Sequence, residues 1–314
     1  MSLLSVENLS LSIRGKPILK EVDFRLEPGR ITGLVGESGS GKSLTALSIM
    51  QLLPSGSRAT GSIRFNGQEL LDAGEETMCA LRGDDIGMVF QEPMTALNPL
   101  KTIGEQVAEG IRIHAGASDR EAQERAAAIL DRVGLPRERF PLSRFPHELS
   151  GGQRQRVVIA MACAMRPKLL IADEPTTALD VTIQAQIMAL LRKLQEDLGL
   201  AILLITHDLG MVAEMCSTVA VMYAGRIVET GPTADVFAIP RHPYTAGLLA
   251  SSPRRARKGE RLPSIPGLVP PPGQRGQGCS FAARCSHAEQ QCRTQTPERV
   301  PSGDRTVACW NPVP

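Results

Sequence analysis

Three stretches of the chain carry residue types that can act together on a phosphate. Gly36-Glu37-Ser38-Gly39-Ser40-Gly41-Lys42-Ser43 fits G-x-x-x-x-G-K-[ST], a phosphate-binding loop. Glycines lack a Cβ, so the backbone can curl and bring its N–H groups close to phosphate oxygens. The helix that follows would add unpaired donors and a partial positive charge. Lys42 would reach the terminal phosphates, and the Ser43 hydroxyl would ligand Mg²⁺. Asp173 and Glu174 close the apolar run Leu169-Leu170-Ile171-Ala172. There Asp173 is placed to hold Mg²⁺ and Glu174 to polarise an attacking water. Leu149-Ser150-Gly151-Gly152-Gln153 precedes a helical stretch, residues 153–165, and reads as an anion-binding helix N-terminus. Taken singly, the last two are no more than an acidic loop and a small-residue turn.

The elements that must position these groups follow from the patterning. Arg30 to Val35 reads as a strand running into the phosphate loop, and Leu44 to Met50 as the helix leaving it. Residues 3–13 alternate polar and apolar as a half-buried strand does, and residues 18–26 read as a second strand before the turn Glu27-Pro28-Gly29. Gly61 to Phe65 and Ile86 to Phe90 are further strand candidates. From about Ile103 to Arg144 the spacing changes to that of helix faces. Ile103, Val107 and Ile111 form one face; Ala122, Ala126, Ile129, Leu130 and Val133 form another, with Gly134 as its stop. Lys168 to Ala172 and Ala201 to Thr206 flank a helix at 181–197, the βαβ pattern of a buried parallel sheet. Residues 218–230 resemble a hairpin turning at Ala224-Gly225. Beyond Ser252 the composition shifts to Arg, Pro and Gly, with a basic linker at Pro253 to Lys258.

The 314 residues are enough for about two domains, and 22% charged with 42% apolar residues is an ordinary globular balance. A net charge of +2 is too small to argue for nucleic acid, 3% aromatics weaken any base-stacking reading, and no nucleic-acid partner is expected. The longest clean apolar runs, Val157 to Met165 and Leu200 to Ile205, fall far short of the ~20 residues that span a bilayer. The first residues do not read as a secretory signal, so the cytosol is expected. Of seven cysteines, Cys79, Cys163 and Cys216 are expected as ordinary buried or partly buried thiols. The other four cluster near the C-terminus, which in a reducing cytosol favours metal over disulfides.

The order of the motifs, with Leu149–Gln153 between the phosphate loop and Asp173-Glu174, resembles the ATP-binding-cassette ATPases over about residues 3–235. The resemblance implies an α/β fold: a RecA-like parallel-sheet core, an antiparallel β subdomain, a helical subdomain at about 92–165, and a small Cys-rich extension at 236–314. It implies ATP and Mg²⁺, with Gln91 sensing the γ-phosphate and Mg²⁺, Ala178-Leu179-Asp180 as the D-loop and His207 as the switch histidine. Ser150, Gly151, Gly152 and Gln153 would bind the nucleotide held by an opposing ATPase subunit. The family commonly stacks adenine on an aromatic after the first strand, but here the sequence is Ile13-Arg14-Gly15-Lys16. Either Ile13 packs on the base or the Arg14 guanidinium stacks on it. Chromosomal relatives split the motifs with coiled coils, translation-factor relatives carry two cassettes, and many exporters fuse spanning helices. None of these features is visible in this sequence.

Phe90 to Pro99 resembles the Q-loop of the peptide and nickel importer branch, and Arg241-His242-Pro243-Tyr244-Thr245 the motif opening that branch's C-terminal extension. Pro263 to Gly267 and the tail to Cys309-Trp310 continue the match, and D-type ATP-binding subunits of dipeptide and oligopeptide permeases are the most similar group. The implied role is to power import of di- or oligopeptides from the cytoplasmic side of the inner membrane, with nickel or glutathione as alternative cargo. The implied partners are a second ATPase, a paralogue rather than a copy, two membrane permease subunits and, indirectly, a periplasmic binding protein. The His-Pro-Tyr sequence shows no chemistry of its own and serves as a branch marker. Cys279, Cys285, Cys292 and Cys309 are spaced C-x5-C-x6-C-x16-C, wider than the C-x2-C pairs of zinc ribbons. Four thiolates suit zinc or an iron–sulfur cluster, and free thiols remain open. The resemblance favours a structural [4Fe–4S] cluster.

Overall fold

The computed structural model describes residues 2–92, 96–252 and 263–313. They divide into two compact units: Met1–Glu27, Ile31–Asp72 and Leu204–Pro314 form the first, and Pro28–Arg30 with Ala73–Leu203 the second.

The first unit opens with β1 (Leu4–Ile13) and β2 (Lys16–Leu26), joined at Arg14-Gly15, where both residues have positive φ (49° and 76°) as a tight hairpin turn requires. Leu4, Val6, Leu9 and Leu11 of β1 are buried, in keeping with the alternating pattern. β3 (Ile31–Val35), buried throughout, delivers the chain into the phosphate loop, and α1 (Lys42–Ile49) leaves it. β4 (Ser57–Phe65) and β5 (Gln68–Glu69) complete an antiparallel sheet ordered β2-β1-β4-β5. β4 starts four residues before the strand signal at Gly61, because Ser57 to Thr60, with Ala59 their one apolar residue, already pair with β1.

The second unit contains α2 (Glu75–Leu81), β6 (Ile86–Val89), α3 (Ile103–Ala115), α4 (Asp119–Arg132) and α5 (Gly151–Cys163). β7 (Leu169–Asp173), α6 (Val181–Leu198) and β8 (Ala201–Thr206) follow, and β8 leaves the unit at Leu204. β6 and β7 pair in parallel, with every residue of both buried. The helical stretch is two helices because Gly116, at φ +59°, ends α3 and Ser118 caps α4. Thr102 and Glu105 form a capping box at the start of α3. The expected apolar faces are buried, and Gly134, at φ +81°, follows the last residue of the α4 cap. Cys79 corrects an expectation: it is exposed, on the outer side of α2, where its Sγ donates to Glu75 Oε1 at 3.4 Å.

Back in the first unit come α7 (Leu209–Met215), β9 (Thr218–Tyr223), β10 (Arg226–Pro232), α8 (Thr233–Ala238), α9 (Pro243–Ala250), α10 (Gln290–Thr294), β11 (Val300–Ser302) and β12 (Arg305–Val307). The β9–β10 hairpin turns at Ala224-Gly225, again with positive φ at both positions. β9 pairs in parallel with β3, giving the order β11-β12-β10-β9-β3. The C-terminal segment thus extends the sheet that carries the phosphate loop. β11 and β12 escaped the sequence reading, being three residues each with Pro301 in β11. Pro93 to Thr95 of the Q-loop signal and the basic stretch at Pro253 to Lys258 lie outside the described residues. Among the described residues, no helix is long and apolar enough to cross a membrane.

Candidate active site

The phosphate loop is wrapped around backbone. Gly36 sits at φ +152°, and a Cβ there would meet Met222 O at 2.1 Å; at Gly41, φ +111°, it would meet Leu19 Cδ2 at 2.6 Å. Lys42, 5% exposed, donates from Nζ to Gly36 O at 2.9 Å and Glu37 O at 3.1 Å. Its ammonium therefore lies over the loop. No side chain caps α1, so its first N–H groups face the loop as an anion site needs. Ser43 is half-buried on the first turn. Arg14 is exposed at the β1–β2 turn, and its backbone N–H donates to Gly56 O. His207 stands exposed just past β8, before Asp208, which caps α7 through Gly210 and Met211 N–H.

The second unit gathers the other predicted residues. Asp173 ends β7 and is 4% exposed. Glu174 follows at φ +46°, a left-handed conformation that is costly for a residue with a Cβ and is a mark of constrained functional positions. Its Oε2 accepts from Gln91 Nε2 at 3.3 Å and from Thr177 Oγ1 at 3.0 Å. Gln91 and Glu174, 83 residues apart, are thus brought together. Ser150 caps α5 in a capping box with Gln153: Ser150 Oγ accepts from Gln153 N–H, and Gln153 Oε1 from Ser150 N–H. Gly152 lets α5 approach α6, since a Cβ there would meet Ile183 Cγ2 at 2.6 Å. Asp180 caps α6 by accepting from Ile183 N–H at 3.0 Å. The Ser43 hydroxyl of the first unit and the Asp173 carboxylate of the second are each a hard oxygen donor, the type Mg²⁺ prefers.

The His-Pro-Tyr sequence does have chemistry. His242 Nδ1 accepts from Tyr244 N–H at 3.0 Å and caps α9, and Pro243 takes the first helical position. The Tyr244 hydroxyl accepts from Glu37 N–H, inside the phosphate loop. Arg284 donates to the Glu37 carboxylate. A helix start at Pro243 could have been read from the sequence. Nothing local points from either residue to Glu37.

The four tail cysteines line one small cavity of about 10 Å³, together with His242, His287 and Trp310. Burial, with the neighbouring cysteines adding to it, pushes the Cys309 thiol up to about 11, and burial raises Cys279 and Cys285 as well. The donor set suits a soft metal, and its convergence fits the expectation. The arrangement departs from it: among the described residues no three His, Cys, Asp or Glu side chains are placed to hold a metal ion.

Comparison with known proteins extends these observations. The family described as ABC transporter matches residues 19–177, and that described as oligopeptide/dipeptide transporter, C-terminal region, matches residues 228–292. A relative in Brucella melitensis biotype 1, named as a peptide import ATP-binding protein, is 54% identical over 292 residues, 89% of this chain and 86% of the relative. Another of that name in Brucella abortus (strain 2308) is 49% identical over 312 residues, 98% and 94% of the two chains. Among solved structures, cbiO1 of Clostridium perfringens, part of an ABC transporter complex, is 32% identical with a TM-score of 0.65, covering 76% of this chain and 91% of that one. A dimeric ATP-binding cassette holding ADP and Pi is 31% identical with a TM-score of 0.64, covering 73% and 98%.

Proposed function

The chain belongs to the ABC transporter family, and from that premise we propose that it is the ATP-hydrolysing subunit powering import of di- or oligopeptides across the bacterial inner membrane. The observation that carries the reading is the pairing of an intact ATPase motif series with a C-terminal region of the oligopeptide/dipeptide type.

The loop Gly36–Ser43 binds the phosphates of ATP through its N–H groups and Lys42. Ser43, Asp173 and Gln91 would each offer Mg²⁺ an oxygen, and the ion would supply positive charge against the phosphate oxygens. Glu174 orients and polarises the attacking water, with Gln91 beside it, and His207 contacts the γ-phosphate. Either Ile13 packs on the adenine or the Arg14 guanidinium stacks on it. Ser150, Gly151, Gly152 and Gln153, on the N-terminus of α5, serve the nucleotide of an opposing ATPase subunit, with Asp180 at that interface. The opposing subunit is a paralogue, and the pair docks from the cytoplasmic face on two permease subunits that receive peptide from a periplasmic binding protein.

A Glu174→Gln chain should bind ATP, lose roughly two or more orders of magnitude in hydrolysis and accumulate as a nucleotide-closed dimer. Turnover at the wild-type rate would sink the assignment. Cys279, Cys285, Cys292 and Cys309 would hold a structural [4Fe–4S] cluster, a reading supported by their lining of one cavity. Iron and acid-labile sulfide in the anaerobically purified chain test this. Zinc in their place, or neither metal, counts against it.

A further inference from the structure

Glu37 lies inside the phosphate loop, yet its side-chain and N–H partners come from the C-terminal segment. Arg284 Nη1 donates to both carboxylate oxygens, at 3.1 and 3.0 Å. The Glu37 N–H donates to the Tyr244 hydroxyl at 2.8 Å. The Arg284 side chain is only 6% exposed, against 28% for Glu37. Its Nε donates to Pro266 O at 2.7 Å, and its guanidinium lies over the Tyr223 and Phe281 rings at 5.7 and 6.0 Å. Tyr223, Tyr244 and Phe281 pack on one another with centroids 4.6 to 5.4 Å apart. The guanidinium is therefore fixed before any ligand arrives.

A carboxylate in a loop that must receive a polyphosphate is a like charge at close range. Pairing with Arg284 neutralises it and ties the side chain to the tail. The Tyr244 hydroxyl holds the adjoining peptide, setting which way the loop's N–H groups point. We propose that Arg284 and Tyr244 are positioning residues of the nucleotide site, through which the C-terminal segment sets the affinity of the phosphate loop for ATP. This rests on the ATP-binding reading above. Arg284 directly precedes Cys285, which lines the cysteine cavity.

The test measures MgATP affinity of the full-length chain by calorimetry, with thermal unfolding in the absence of nucleotide as the control for folding. Arg284→Ala should weaken MgATP about tenfold, and Arg284→Lys should restore part of the loss. Glu37→Gln removes the charge that Arg284 answers, so adding Arg284→Ala to it should cost less than about twofold more. Tyr244→Phe keeps the ring and should weaken MgATP a few-fold at unchanged melting temperature. Wild-type affinity in Arg284→Ala overturns the proposal, as does an equal loss with and without Glu37→Gln. If Arg284→Ala fails to fold, Tyr244→Phe decides, and unchanged affinity there overturns the proposal. A wild-type chain that does not bind MgATP overturns the ATP reading itself, and this one with it.

Discussion

Gly36 was legible from the motif alone, and the structure supplies the reason for it. A Cβ there would meet Met222 O at 2.1 Å, and this is backbone of β9 that cannot swing aside. Gly36→Ala should therefore displace the loop, costing roughly 2 kcal/mol or more. The expected result is a lowered melting temperature and lost MgATP binding, and a variant with wild-type affinity would refute the steric account. Glu37, one residue on, was read only as part of the loop. Its charge and N–H are committed to Arg284 and Tyr244, which no neighbouring residue announces. Glu174 and Gln91 follow from motif position, but only the tertiary structure reveals their hydrogen bond and the positive φ of Glu174.

At the scale of elements, helix starts were legible because their chemistry is local. Ser150 and Gln153 cap each other within three residues, as Thr102 and Glu105 do. The start of α9 is equally local, with His242 as cap and Pro243 behind it. Burial of that imidazole pushes its pKa from 6.5 down to about 3. Above about pH 6.5 it is neutral folded and unfolded, and adds no pH dependence. Below that, the unfolded chain takes a proton that the folded chain refuses, so this group costs about 1.4 kcal/mol per pH unit as pH falls toward 3. His242→Asn keeps a capping oxygen and removes the proton site. Urea midpoints at pH 7, 6 and 5 should fall less steeply in the variant. Parallel slopes would show that His242 does not titrate this way.

At the scale of the whole molecule, the C-terminal segment is anchored on a buried charge. Glu229 of β10 is fully buried and accepts from Arg241 N–H, His242 N–H and, at 2.6 Å, Arg305 Nη2 of β12. Glu229→Ala takes the carboxylate from that guanidinium, which keeps only the Asp235 and Ile239 carbonyls, strands two N–H groups, and should cost about 3–5 kcal/mol. Arg25→Ala breaks a pair whose side chains are 70% and 44% exposed, and should cost within about 0.5 kcal/mol. Urea unfolding of both variants at a common m-value checks the contrast, and similar losses would refute it. The sequence by itself determined most of the longer strands and helices, the motif series and the family, because periodicity, caps and the glycine loop act over a few residues. The tertiary structure alone decided that Tyr244 and Arg284, 207 and 247 residues away, close on Glu37. It alone decided that four widely spaced cysteines share a cavity. Such contacts are fixed by how buried elements pack, and no local propensity encodes the partner that packing brings.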